Sequence, residues 1–570
     1  MSSKGRNGKK KKTGVTLEAY EVTLFILRVI VSVYCCIFFV AMPLFYHNKY
    51  FDIGDFKYTM FMYLTVTFLS LSAIMLVIHI IVLGVSGRIR LSYLKERFMA
   101  MSMTDLFVIA FGMASVVSFL LSPIRTGEYP VFFLFNTDKD ARVVNLPWEG
   151  YRGWNMGLRS QLMFVAMYFM ISRFFMKSWK KDLICISLSS AFAVFLLGVL
   201  NRFHIDPLGM YDGLVEGYIN KFLSTLGQAT WYSSFMVVML PVGMALYMFC
   251  DRKRTLAKCL LALYVSMGGA TFVTQNSDSA YPAFAAIIVM MFAISFMNNE
   301  RFLRFLEMMI LMLGAMKVVG LFQILFPQRL TELDRMSLFV SQSPVTLVML
   351  IAMTGLYIMI LKKTDSGRFD ITRYKRLRTA VVLCVAACVP LVIIIAFLNT
   401  KGMLPTDAFA GVEYLTFNDS WGNNRGYTWR NTVEVMREPM WRSMIFTGPG
   451  PDCYPMVMYA DDIRASMMHE FWNGEIVICA HNEWLNMLFN EGILGFVTYL
   501  GIFGSAFVSC ARKYDNPASL ACASAIAGYF FHNMFCYQQI LCTPMIFCVM
   551  ALYDFLNANK EMHSEIMRSA

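Results

Sequence analysis

The sequence predicts an all-α, polytopic membrane protein of about fourteen transmembrane helices, with one large ordered outer loop before the twelfth span. Three observations carry this. The 570 residues are 57% hydrophobic and only 15% charged, against about a quarter charged in soluble domains. Apolar runs of about twenty residues, enough to cross a hydrocarbon core, recur from end to end. The basic residues fall in every second loop, the asymmetry that orients membrane helices. A soluble globule is excluded. The net charge of +12 belongs to membrane orientation and carries no nucleic-acid signal.

The chain opens on a basic arm, residues 1–19, holding Lys4, Arg6 and Lys9 to Lys12. This arm is expected on the anionic inner leaflet. The apolar run after it has full transmembrane length, so no cleavable signal peptide is expected. Residues 20–398 read as a bundle of about eleven spans. Their approximate limits are Tyr20–Phe45, Tyr58–Leu83, Met103–Leu121, Trp154–Met176, Leu183–Phe203, Tyr232–Cys250, Ala257–Thr274, Ala280–Met297, Leu306–Leu325, Thr346–Leu361 and Ala380–Leu398. Residues 481–557 supply about three more, at Glu483–Ser509, Leu520–Phe535 and Gln539–Leu556, before a tail at 558–570.

Charge sets the expected orientation. Arg88 to Arg97, Lys177 to Lys181, Arg252 to Arg254, Arg301 to Arg304, Lys362 to Arg378 and Arg512 to Lys513 all fall on the side of the basic arm. That side is the cytoplasm, and both termini lie there. The long loops, Ser122 to Gly153, His204 to Trp231, Phe326 to Pro344 and Asn399 to Ala480, lie on the other side. The last holds Trp421, Trp429, Trp441 and Trp472 and a helical stretch from Gly426 to Arg437. Residues 399–480 are therefore expected to form an ordered extracytoplasmic cap, since loops of this length are functional or disordered. The 14 cysteines form no CxxC pair and read as buried thiols. Only Cys453 and Cys479 lie in the long polar segment, where a disulfide is conceivable.

The stretch Cys479 to Gly495 organises the rest. As a helix, it would place His481, Leu485, Leu488, Gly492 and Gly495 on one face. The glycines would let a neighbouring helix or lipid chain approach. Ahead of it come Trp421-Gly-Asn-Asn-Arg425-Gly-Tyr-Thr-Trp429-Arg430, then Gly448-Pro-Gly450-Pro-Asp452.

These residues resemble the O-antigen ligase/polymerase superfamily. Arg425 and Trp429 match its first element and Gly448 and Gly450 its second. His481, Asn482, Glu491, Gly492 and Gly495 match the third. The strong resemblance spans Trp421 to Tyr499, with a weaker one over Gly227 to Pro241. It implies a metal-independent membrane glycosyltransferase of the C-type fold, acting in cell-surface polysaccharide biosynthesis. Such enzymes take a glycan from a polyprenyl (undecaprenyl) diphosphate and join it to a hydroxyl of a glycan or glycolipid acceptor. They work at the outer face of the cytoplasmic (inner) membrane. Donor, acceptor and membrane lipids are the implied partners, and no nucleic acid, metal or cofactor is implied.

The residues suit that chemistry. An acceptor hydroxyl needs a base, and imidazole has an ordinary pKa of about 6.5. The leaving diphosphate gathers negative charge, which a guanidinium binds bidentately. His481 is thus the candidate general base. Arg425 and Arg430 are the candidate diphosphate ligands, with Arg159 a further candidate. Trp429, Asn482, Glu491, Gly492 and Asp278 are candidate supporting residues.

In one place the chain departs from the family. Where many members carry a Ser-Arg pair, it has Ser277-Asp278-Ser279. Either Arg159, Arg329 or Arg335 replaces the arginine, or Asp278 orients His481 or an arginine. Plainer readings exist. His481 can be an interfacial histidine, Arg425 and Arg430 can pair with Asp419 or Glu434, and Trp429 can be a packing residue. Glu491, about 80° round a helix from His481, reads as structural, and Gly448 to Pro451 as a rigid turn. His532, near the outer end of the thirteenth span, could neighbour the site, although a bland role is the favoured one. The competing functions are a lipid-linked oligosaccharide flippase, for which the repeated halves of transporters are missing, and a non-catalytic scaffold. Ligase and polymerase are not separable from sequence.

Overall fold

The computed structural model describes residues 4–87, 101–125, 146–151, 153–251, 254–405 and 412–569. The basic residues Arg88 to Arg97 and Arg252 lie outside the described residues. A helix covers each of the apolar stretches, and among the described residues strand is confined to one antiparallel pair, Phe222–Leu223 with Gly227–Gln228. Among the described residues ten helices are long and apolar enough to cross a bilayer, against the fourteen spans expected. The difference lies in shorter helices. Leu158–Phe174 has 17 residues, and Ala280–Ser295 and Pro517–His532 have 16 each. At about 1.5 Å per residue these fall short of a hydrocarbon core about 30 Å thick. The apolar part of the last helix, Thr543–Asn557, is also short.

The short helices matter because their ends meet beneath the cap. Ser279, which precedes Ala280–Ser295, bonds His532 at the end of Pro517–His532. Trp154, just before Leu158–Phe174, packs on Tyr537, which leads into the last helix. At the centre of the bundle, Ala229–Phe249 is buried along most of its length. At its rim, Lys375–Thr400 has no buried residue.

The polar segment before Glu483–Arg512 folds into the helices Trp421–Arg437, Pro439–Arg442, Tyr454–Met458 and Asp462–Phe471. Tyr427, Val435, Trp441, Tyr454, Tyr459 and Met468 form an apolar core of its own, joined by Phe489 from the long helix below. Trp441 donates its indole N–H to the Phe489 carbonyl at 3.2 Å. Buried Asp452 accepts from the Tyr151 and Met156 amides at 2.8 and 3.0 Å, tying the cap to the segment before Leu158–Phe174. Burial pushes its carboxyl up to about 7. Cys453 and Cys479 are both free thiols.

Cap and span are interlocked by glycines. The long helix breaks at Gly492, with φ 63° and ψ −164°. The amides of Ile493 and Leu494 then bond the Ile445 and Phe446 carbonyls at 2.9 and 3.0 Å, and the Gly450 amide bonds the Asn490 carbonyl at 2.9 Å. A Cβ at Gly448 would stand 2.2 Å from the Asn490 oxygen, and one at Gly492 2.5 Å from the Phe446 carbonyl carbon. Backbone thus touches backbone where any side chain would intrude. The single apolar face drawn from His481 through Gly495 is therefore corrected. His481 precedes the helix, and the helix is interrupted at Gly492. Its neighbour Glu491 is buried and accepts from Ser115 at 2.6 Å, and Gly495 leaves room for its side chain. Gly492→Ala should lower the melting temperature of the detergent-solubilised protein by several degrees. Strain at one such position costs about 1–3 kcal/mol, before the clash is counted. An unchanged melting temperature would contradict the interlock.

Candidate active site

The peptide carrying His481 is held from three directions. Asn482 caps the long helix, its side chain accepting from the Leu485 amide at 3.0 Å. The Ala480 amide donates to Asn486 Oδ1 at 3.1 Å, and the Glu483 amide to the Asn533 carbonyl at 2.9 Å. His481 itself takes the left-handed conformation, φ 49°, which histidine adopts more readily than most side chains.

That geometry fixes the tautomer. His481 Nδ1 lies 3.2 Å from the Cys479 carbonyl oxygen. A carbonyl only accepts, so Nδ1 carries the hydrogen. Nε2 keeps its lone pair and has no hydrogen-bond partner among the described residues. The ring stands edge-on to Tyr537, 5.3 Å between centroids at 89°. Burial, and then the positive charge of Arg425, lower its pKa to about 4. The imidazole is neutral at physiological pH.

Arg425 reaches the same place from the cap. Gly422, Asn423 and Asn424 have φ 59°, 61° and 67°, a left-handed turn from which the right-handed helix begins. Gly426 permits it, for a Cβ there would fall 1.8 Å from the Asn418 oxygen. The Arg425 guanidinium donates to the Gly422 carbonyl at 2.5 Å, and its Nε is buried without a partner. Among the described residues it joins no ion pair. Burial lowers its pKa, partly offset by the acid of Asp278 and the nearby Cys536, Tyr537 and Tyr414. Asp278 is exposed and accepts from the Tyr414 hydroxyl. Its charge acts on Arg425.

The aromatic residues close the site. Trp429 donates its indole N–H to the Ala480 carbonyl at 2.9 Å and lies stacked 6.2 Å from Phe535 and tilted 5.3 Å from Trp421. It braces the peptide preceding His481. Buried His532 is fully engaged: Nε2 accepts from Ser233 and Ser279 at 2.9 and 3.0 Å, and Nδ1 donates to Asn533 Oδ1 at 2.9 Å. With no free nitrogen it is a packing residue. Tyr537, Trp154 and Trp231 were not singled out by the sequence. Tyr537 accepts from Trp231 at 2.9 Å, donates to Gln228 at 3.0 Å, and packs on Trp154 at 4.3 Å. The one sequence signal for them was the polar Tyr-Gln-Gln run between two apolar spans.

Two expected diphosphate ligands are placed otherwise. Arg430 is 48% exposed and pairs with Asp419 at 2.6 Å and Glu434 at 3.9 Å. This is the surface pairing, which engages Nη1 and Nε. Arg159 pairs with Glu149 at 2.6 Å and lies over the Tyr58 ring. Arg329 and Arg335 are exposed. Of these five arginines, Arg425 is the one that is largely buried and joins no ion pair among the described residues.

Comparison with known proteins adds one finding. Residues 333–500 match the family model described as O-antigen ligase. No curated protein matches the chain. The matched segment runs through the cap, past Arg425 and the Gly448–Gly450 turn, to His481 and the interrupted helix. The match over residues 333–500 supports the resemblance to the O-antigen ligase/polymerase superfamily.

Proposed function

We propose that the protein is a metal-independent glycosyltransferase of cell-surface polysaccharide synthesis. It joins a polyprenyl-diphosphate-linked glycan to an acceptor hydroxyl at the outer face of the cytoplasmic membrane. One observation carries this reading: a neutral imidazole with a vacant Nε2 lies within the electrostatic reach of a largely buried guanidinium that joins no ion pair among the described residues. A buried unpaired charge is costly, and its retention fits a site that awaits an anion. The basic residues of the opposite loops support cytoplasmic termini and a cap outside.

In the proposed step the acceptor oxygen attacks the donor's anomeric carbon and its proton passes to His481 Nε2. The bond from that carbon to the diphosphate oxygen breaks, and polyprenyl diphosphate leaves with the electron pair. Arg425 holds the charge that grows on the leaving oxygens. Binding of the dianion also offsets the repulsion between Arg425 and a protonated His481. The imidazole thus becomes more basic once the donor is seated. Trp429 and Asn482 hold the loop in position.

The test is the surface polysaccharide of cells lacking the protein. Loss of chain length identifies a polymerase, and loss of attachment identifies a ligase. An unaltered polysaccharide sinks the reading.

A further inference from the structure

An apolar cleft opens in the half of the bundle away from the cap. Leu183, Val242, Ala518, Ala521 and Leu552 help line it, and Lys180 is the one charged residue in its wall. Its volume is about 120 Å³. Apolar cavities of about 150 Å³ admit benzene, so several methylenes of a hydrocarbon chain fit here. The cleft lies beside the basic loops. Lys180 and Leu183 stand at the start of the helix Lys180–Asn201. Ala518 and Ala521 lie in the first turns of Pro517–His532, whose other end meets Ser279 beneath the cap. Charge gathers at this rim. Lys180 is partly buried and joins no ion pair among the described residues. Lys177 and Lys181 are exposed beside it in sequence, and the exposed Arg512 and Lys513 precede Pro517. The acids of the rim leave these cations unpaired. Asp182 and Asp515 are exposed and join no ion pair among the described residues, and Asp554 accepts from Tyr168 and Ser102.

We infer that this cleft is a binding site for an anionic diacyl phospholipid of the cytoplasmic leaflet. One acyl chain enters between the helices, and the phosphate meets the Lys180 ammonium. The two parts of the site match the two parts of such a lipid, and basic pockets between spans on the cytoplasmic side hold anionic headgroups. The choice of leaflet rests on the orientation read from the basic loops. It does not rest on the transferase reading. In that reading a polyprenyl donor carries its diphosphate at the outer face, on the wrong side of the membrane for Lys180.

The experiment titrates the full chain in detergent with phosphatidylglycerol, and with phosphatidylcholine of the same acyl chains, and reads bound lipid by native mass spectrometry. Phosphatidylglycerol should bind the more tightly. Lys180→Gln should weaken it about fivefold, the worth of one lysine at an anionic lipid surface, and leave phosphatidylcholine unchanged. Ala518→Phe, which fills the cleft, should weaken both lipids about tenfold, as when about two methylenes lose their seat. Lys363→Gln removes an exposed lysine of another basic loop and should change neither. Absence of bound lipid, or phosphatidylglycerol binding that ignores Lys180→Gln, overturns the proposal. Equal losses in Lys180→Gln and Lys363→Gln do so too, for they would mark a general attraction to the basic surface. Displacement of phosphatidylglycerol by polyprenyl phosphate would give the cleft to the donor's tail and is equally fatal. Should Ala518→Phe fail to fold, the contrast between positions 180 and 363 decides alone.

Discussion

Alanine at position 481 should reduce glycan transfer about 10²–10⁴-fold, the usual contribution of a positioned base, while the protein still inserts and folds. The His481 ring makes one backbone hydrogen bond, a 3.8 Å contact with the Cys479 thiol and one edge contact with Tyr537, so little packing is lost with it. Glutamine, which cannot take up a proton at this pH, should do no better than alanine. Transfer measured in proteoliposomes decides the matter. A lipid-linked oligosaccharide flippase would go on moving labelled lipid in this variant. Full transfer activity in both variants would remove His481 from the chemistry.

Arg425→Ala should cost about 10²–10³-fold in transfer, by analogy with loss of one donor from an oxyanion site. The effect should fall on donor KM as well as on kcat, because the charge acts on bound diphosphate and on the departing oxygens alike. Lysine should restore little, since an ammonium cannot reproduce the bidentate fork. Arg430→Ala is the control. Its guanidinium is half exposed and already paired with Asp419 and Glu434, so transfer should stay near wild type. An exposed pair of this kind contributes about 0–1 kcal/mol to stability. Equal losses at positions 425 and 430 would contradict the division drawn between them.

The helices were readable because an apolar run of span length has few other fates in a membrane protein. The order arginine, Gly-Pro turn and histidine was readable because those residue types suit a diphosphate leaving group and an acceptor hydroxyl. What escaped was set by tertiary contact. Nothing in the periodicity of Glu483–Arg512 signals the break at Gly492, which exists because residues 445–446 lie against it. His481 read as helical, yet its backbone is turned left-handed one residue before the cap at Asn482. Arg425 and Arg430 are the same residue type five positions apart. Burial of one, and carboxylates beside the other, separate them. Trp231 and Tyr537 meet across 306 residues of chain, a distance no local pattern spans.

The pH dependence of kcat/KM tests most directly whether the charge of Arg425 acts on His481. The base must be neutral to act, so activity is retained above its free-enzyme pKa and lost as pH falls through it. In the wild type that acid limb should lie near pH 4, well below the 6.5 of an ordinary imidazole. In Arg425→Gln it should move upward, stopping short of 6.5 because burial is the larger cause. A limb near 6.5 in the wild type, or one that stays put when the guanidinium is removed, would contradict the account.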